Sequence, residues 1–304
     1  MVTTRESKQV RIHVAKGDRA FYTASTALLT LLFISVLYPI IFVVSASFSE
    51  GRMVSAGKVV LWPVNFSLEG YEAVFRNSRV LSGYLNTIRY TLIGTLINVS
   101  VCMICAYPMS RRDLPGRNFF MLVFTFTMYF SGGMIPNYIL MRNLGILNTT
   151  WVMVLPGALS VYNMILARTF MQSSIPGELM EAAILDGCSD IRYFVKIVLP
   201  LSKAIIAVIV MYSAVGHWNM YFNAMLYLNS ADKMPLQIVL REILLANQFD
   251  ASMLVDPELQ QARADLADVL KYALILVSTV PILCMYPFVQ RYFVQGVMIG
   301  SIKG

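Results

Sequence analysis

Six apolar runs free of charged side chains divide the chain, at residues 20–49, 90–110, 118–141, 143–167, 204–231 and 272–290. Each is close to or longer than the roughly 20 residues a helix needs to cross hydrocarbon. The runs are continuous rather than alternating, which excludes a transmembrane β-barrel. An open strand in lipid would leave its backbone polar groups unpaired, so each run is expected to be a helix. The pattern therefore predicts an all-α integral membrane protein with six transmembrane helices. Two of the connecting stretches, 50–83 and 232–271, are long for plain turns. The second shows helical periodicity at 236–246 and 257–267. Both are expected either to cap the bundle or to receive an extracytoplasmic partner.

Charge sets the orientation. Basic residues gather in short blocks: Arg5, Lys8, Arg11, Lys16 and Arg19 in the leading tail, then Arg111, Arg112 and Arg117 after the second run. Arg168, Arg192, Lys196 and Lys203 follow the fourth run, and Arg291 and Lys303 follow the sixth. On the opposite side, basic residues are spread over long loops and matched by carboxylates. The positive-inside rule then puts both termini in the cytoplasm. The first run is about twice the length of a signal-peptide core, so it reads as an uncleaved helix.

Composition agrees with this. Of 304 residues, 57% are hydrophobic and only 13% charged, too few charges to cover a soluble fold of this size. A disordered scaffold and a disulfide-stapled domain are excluded as well. The net charge of +7 is explained by topology and does not call for nucleic acid. Cys102 and Cys105 have CxxC spacing, yet they lie inside an apolar run without a second pair or a nearby histidine. They are expected to be small core residues rather than metal ligands.

Catalytic signatures are missing. There is no GxxxxGK[ST], no GxSxG and no HExxH. His13 and His217 are too far apart in the chain to form a metal site by local spacing. Uphill transport would therefore draw its energy from a partner or an ion gradient. An ion-coupled secondary carrier stays open as an alternative, with His217 as the ionisable group within the spans.

The cytoplasmic stretch 173–200, SSIPGELMEAAILDGCSDIRYFVKIVLP, carries the most local information. Ser174 is expected to cap a helix with Pro176, Glu178 and Glu181 in its first turn. Gly187 is suited to the left-handed conformation that stops a helix. Ser189 or Asp190 restarts one, and Pro200 closes it before the fifth run. Ala182 and Ala183 thin one side of the first helix enough for another protein to approach closely.

The series Glu181-Ala182-Ala183, three residues, Gly187, nine residues, Ile197-x-Leu199-Pro200 resembles the EAA motif of binding-protein-dependent ABC importer permeases. Stretches 86–112, 155–170, 216–228 and 290–304 look like the carbohydrate branch of that family, in its polysaccharide and oligosaccharide subgroup. The resemblance implies a MetI-like fold in which 173–200 is a coupling helix docking on an ATPase. Glu181, Ala182, Ala183, Asp186, Gly187, Leu199 and Pro200 would make that contact. It divides the chain into a cytoplasmic tail (1–19), a first helix with an external segment (20–85) and a permease core (86–304). It also implies a heterodimer with a second homologous permease, two ATP-binding subunits that hold the ATP and Mg, and an extracytoplasmic solute-binding protein. The substrate would be an oligosaccharide, with acidic ones from alginate or pectin a subgroup expectation, and the location a bacterial inner membrane. No cofactor or catalytic residue is expected on this chain itself.

Polar residues at mid-membrane depth face protein or a watery cavity. On that ground His217, Trp218, Asn219 and Asn223 are candidate pathway residues, with Tyr90, Asn98, Tyr162 and Asn163 beside them. Helix–helix hydrogen bonding is the competing role for each. His217 and Asn219, two apart on a helix, cannot point the same way.

Overall fold

The computed structural model describes residues 16–252 and 257–301. Most of the basic leading tail, with Arg5, Lys8 and Arg11, lies outside them, as does Lys303. Apart from one isolated bridge between Ser49 and Phe66, the described residues are helical or irregular.

The first helix, α1 (Lys16–Ser47), leaves its apolar surface exposed over most of its length. It satisfies its own polar groups: the Thr23 and Thr30 hydroxyls donate to the carbonyls of Arg19 and Thr26 one turn back. Two short helices, α2 (Gly51–Ser55) and α3 (Glu69–Arg76), follow before the next long helix. The long α4 (Ser78–Ser110) starts at Asn77, whose Oδ1 accepts from the Arg79 N–H at 3.0 Å.

Three expected spans come out differently. Residues 118–141 are two helices, α5 (Arg117–Tyr129) and α6 (Met134–Asn143), bent by 108°. The break falls at Ser131-Gly132-Gly133, where Gly133 takes φ +89°, a conformation glycine adopts without a Cβ penalty. Residues 143–167 are also broken, into α7 (Thr150–Val154) and α8 (Val161–Ser174). Pro156 has no N–H to continue the first of these, and Ser160 caps the second by accepting from the Asn163 N–H. The fifth run, 204–231, stops being one helix at Trp218.

The stretch 173–200 folds as α9 (Glu178–Leu185), a turn at Gly187 with φ +70°, and α10 (Asp190–Tyr193). A π-helical turn, Phe194–Val198, leads into α11 (Leu199–Leu201). Two details depart from expectation. Ser174 ends α8 instead of capping α9, whose first turn is closed onto the Pro176 and Gly177 carbonyls. The chain breaks at Ser202, two residues beyond Pro200, where Asp190–Leu201 meets α12 (Lys203–Trp218) at 79°. Pro200 stands in the first turn of α11, just beyond the π-helical stretch, a position that tolerates a missing N–H.

After α13 (Phe222–Tyr227) the chain enters α14 (Leu236–Ser252) and ends in α15 (Pro257–Ser301), 45 residues long, which contains the sixth expected run. By length and composition three helices reach across a bilayer alone, and five do if each of two bent pairs is one span.

Three apolar clusters hold these elements. One, around Trp218, Leu236 and Leu274, joins α3, α4, α12, α14 and α15. A second, around Met103, Met164, Tyr193 and Ile209, joins α4, α8, α12 and the α9–α10 stretch. The third, around Tyr90, Met153 and Tyr227, joins α4, α7 and α13. The helix α4 runs through all three, so it is the element the other parts share.

Candidate functional site

Two places gather chemistry, and α4 links them. The first is a cavity of about 430 Å³ between α4, α8 and α12. Asn98 projects into it from α4, Ser160, Tyr162 and Asn163 from the start of α8, and Tyr212, Ser213 and His217 from α12. These positions follow from helical spacing: Ser213 and His217 are one turn apart on the same face. Asn98 donates to the Gly157 carbonyl at 2.8 Å and accepts from Asn163 Nδ2 at 3.4 Å. The carbonyl at Gly157 is freed by the break before α8, so the helix interruption supplies a polar wall. Among the described residues lining the cavity, no side chain carries a fixed charge.

His217 is 8% exposed. Its Nδ1 lies 2.8 Å from the Ser213 carbonyl, the geometry of an N–H donating to that oxygen. Its Nε2 is buried and has no hydrogen-bond partner. The ring seats in a notch made by Gly94 of α4: a Cβ there would overlap Nε2 and Cδ2 and stand 2.9 Å from Cε1. Gly94 is thus what lets α4 and α12 close over this ring, a contact that hydropathy does not reveal.

The remaining pathway candidates lie elsewhere. Trp218, adjacent to His217 but pointing away, is buried in the first cluster and donates from Nε1 to the Ser278 carbonyl at 2.9 Å. Tyr90 donates to the Lys233 carbonyl at 2.8 Å, tying α4 to the turn before α14. Asn219 is exposed and bonds the Val215 carbonyl one turn back. Asn223 lies in α13, with Nδ2 3.6 Å from the Met220 sulfur. The structure therefore gathers Asn98, Tyr162, Asn163 and His217 at one cavity and leaves Tyr90, Trp218, Asn219 and Asn223 outside it. Ser160, Tyr212 and Ser213 join that cavity without having been singled out by sequence. The only signal for Ser213 was its position one turn before His217.

The second place is the helix–turn–helix at α9 and α10. Glu181, Ala182, Asp186 and Gly187 are exposed, while Ala183 is buried against the second cluster. A Cβ on Gly187 would meet nothing within 4 Å, so its glycine is required by backbone conformation alone. Leu185 is 88% exposed and Ile191 78% exposed, one on each side of the turn. Ile184 is also exposed. Leu199 and Pro200 lie at the far end of the second arm, half-buried and exposed respectively.

Beside this turn, Arg111 forms the C-cap of α4. Its Nε and Nη2 donate to the two oxygens of Asp113, and Nη1 donates to Asp190 Oδ1 of α10 at 2.5 Å. The guanidinium holds the Asp113 carboxyl below the usual carboxylate range, and Asp113 in turn raises the arginine further above its ordinary value.

Comparison with known proteins adds a family. The profile described as "Binding-protein-dependent transport system inner membrane component" matches residues 81–299. The chain is 40% identical over 280 residues to the polygalacturonan/rhamnogalacturonan transport system permease protein YtcP of Bacillus subtilis, covering 91% of this chain and 96% of that protein. It is 36% identical to Protein LplC of the same organism, covering 96% and 98%. Among solved structures it resembles a chain of a bacterial ABC transporter involved in the import of the acidic polysaccharide alginate, with TM-score 0.82 and 33% identity over 93% of this chain and 99% of that one.

Proposed function

Because this chain belongs to the family of inner membrane components of binding-protein-dependent transport systems, we propose that it forms half of an ATP-driven pathway, paired with a second, homologous permease. It is a permease component of an ABC importer for oligosaccharides, located in the inner membrane. The ion-coupled carrier is set aside by that membership.

The finer assembly is our reading. Two ATPase subunits beneath the membrane hold ATP and Mg, and an extracytoplasmic binding protein delivers the sugar. Six crossings are completed by treating α5 with α6, α7 with α8, and α12 with α13 as interrupted spans. Both termini then lie in the cytoplasm, as the basic blocks around Arg111 and Arg192 favour. The single observation that carries the coupling role is the turn at Gly187. It exposes Ile184, Leu185 and Ile191 in the stretch that resembles the EAA motif, which we read as facing the cytoplasm together with those basic blocks. An ATPase cleft closing on α9 supplies the differential interaction needed to switch the spans between two states.

The cavity of Asn98, Tyr162, Asn163 and His217 is where we place sugar contact. Amides and hydroxyls of the lining bond the sugar hydroxyls, and a tyrosine face receives the ring of a pyranose. Lacking a fixed charge, the cavity reads hydroxyls. The names of the relatives point to uronic-acid polymers, whose carboxylates would be bound elsewhere in the assembly. Reconstitution tests this: vesicles holding the full assembly, binding protein and a galacturonate oligomer should accumulate sugar only with internal ATP and regardless of protonophore. Uptake by this chain alone, abolished by protonophore, would overturn it.

A further inference from the structure

The end of α4 is bound more tightly to its neighbours than a helix terminus requires. A helix leaves its last carbonyls without intrahelical partners. Here Arg168 Nε donates to the Met109 carbonyl at 2.9 Å and Gln172 Nε2 to the Ser110 carbonyl at 3.1 Å, both from α8. Arg117 donates to the Arg111 carbonyl at 3.2 Å. With these groups satisfied by others, the Arg111 side chain is free for a different task. It reaches Asp190, the first residue of α10, while two of its nitrogens hold Asp113. Its side chain is only 22% exposed, against 65% for Asp190. An apolar contact runs alongside: the Tyr107 ring lies 5.0 Å from the Phe194 ring and 6.4 Å from that of Tyr193.

We propose that Arg111 is a positioning residue for transport, a fork that ties the arm beyond Gly187 to α4, so that displacement of the coupling stretch is passed to the helix that carries Asn98. This rests on the coupling role assigned above and extends it to a named route. The geometry favours α4 as receiver. The only ion pair made by α10 among the described residues goes to Arg111, and α4 continues from there to the cavity. Thirteen residues separate Arg111 from Asn98, about 20 Å along a helix axis, so a small tilt at the fork is carried to the cavity wall. A planar guanidinium bonded to two carboxylates fixes an angle, which a flexible ammonium would not.

The test uses the whole assembled transporter in nanodiscs, followed by hydrogen exchange without nucleotide and after trapping with ATP and vanadate. In the unmodified complex, trapping is expected to change exchange in both α9 and residues 98–110 of α4. R111Q and D190N should each retain the α9 response and cut the α4 response at least twofold, and the double variant should be no worse than either alone. D113N, which leaves the bond to Asp190, should keep most of it. An undiminished α4 response in R111Q and D190N overturns the proposal. So does a full response in R111K, which would reduce Arg111 to a topological charge. Loss of α4 protection in R111Q already without nucleotide would show a structural cap only. No α9 response in the unmodified complex would instead sink the coupling role itself.

Discussion

Replacing Gly94 with alanine tests the contact on which the cavity is built. The added methyl would lie within 2.9 Å of the His217 ring, where unstrained carbon contacts are about 3.5–4.0 Å. The overlapped Nε2 and Cδ2 must retreat by more than about 1 Å to reach ordinary contact, yet the ring's other edge is held by the 2.8 Å bond to the Ser213 carbonyl. Either that bond breaks, at about 0.5–1.5 kcal/mol, or α4 and α12 part, with an overpacking penalty of about 1–3 kcal/mol. Thermal unfolding of the purified complex should therefore show G94A clearly below the unmodified protein. The instructive variant is the double one. H217A removes the ring that the methyl meets, so G94A/H217A should unfold higher than G94A alone, with a coupling well outside additivity. Penalties that simply add would show that the two residues are not in contact, and the cavity geometry would have to be abandoned.

Other outcomes follow from the same structure. At Gly187 a Cβ has room, so the penalty is purely one of left-handed backbone, about 1–2 kcal/mol for an ordinary residue; G187V should lower sugar uptake per ATP hydrolysed, and G187N, which tolerates that conformation, should retain much of it. N98A removes the partner of the Gly157 carbonyl and a cavity amide together, so the sugar concentration for half-maximal uptake should rise several-fold at unchanged ATPase assembly. W218F loses the bond to Ser278, worth about 0.5–1.5 kcal/mol, and should lower stability while leaving sugar dependence unaltered, in contrast to N98A. Equal effects of W218F and N98A on sugar dependence would contradict the separation of Trp218 from the cavity.

How much was legible in sequence depends on which physics governed each part. Apolar runs revealed the membrane-embedded class because burial in lipid is a property of composition. The turn at Gly187 and the Ser189 cap were legible because both are local backbone chemistry with few alternatives. The breaks in the third and fourth runs were not read, although Gly132-Gly133 and Pro156-Gly157 marked them. Hydropathy averages over such residues, while a single missing N–H or a positive φ ends a helix. The cavity was half legible: Asn98, Tyr162, Asn163 and His217 stood out as polar groups in apolar runs. That Trp218 faces the opposite cluster depends on where α15 packs, and the Gly94 notch and the Arg111–Asp190 pair are tertiary contacts between distant segments. None of these has a signature within a window of sequence.

The central claim is that the turn between α9 and α10 is gripped by a separate ATP-hydrolysing subunit on the inner face. Leu185, 88% exposed, is the position from which to ask. With the four native cysteines replaced, L185C should resist an impermeant maleimide added to intact cells, react after permeabilisation, and cross-link to the ATPase subunit in the assembled complex. Labelling from outside, or a complete assembly in which this cysteine never cross-links to the ATPase, would contradict the account.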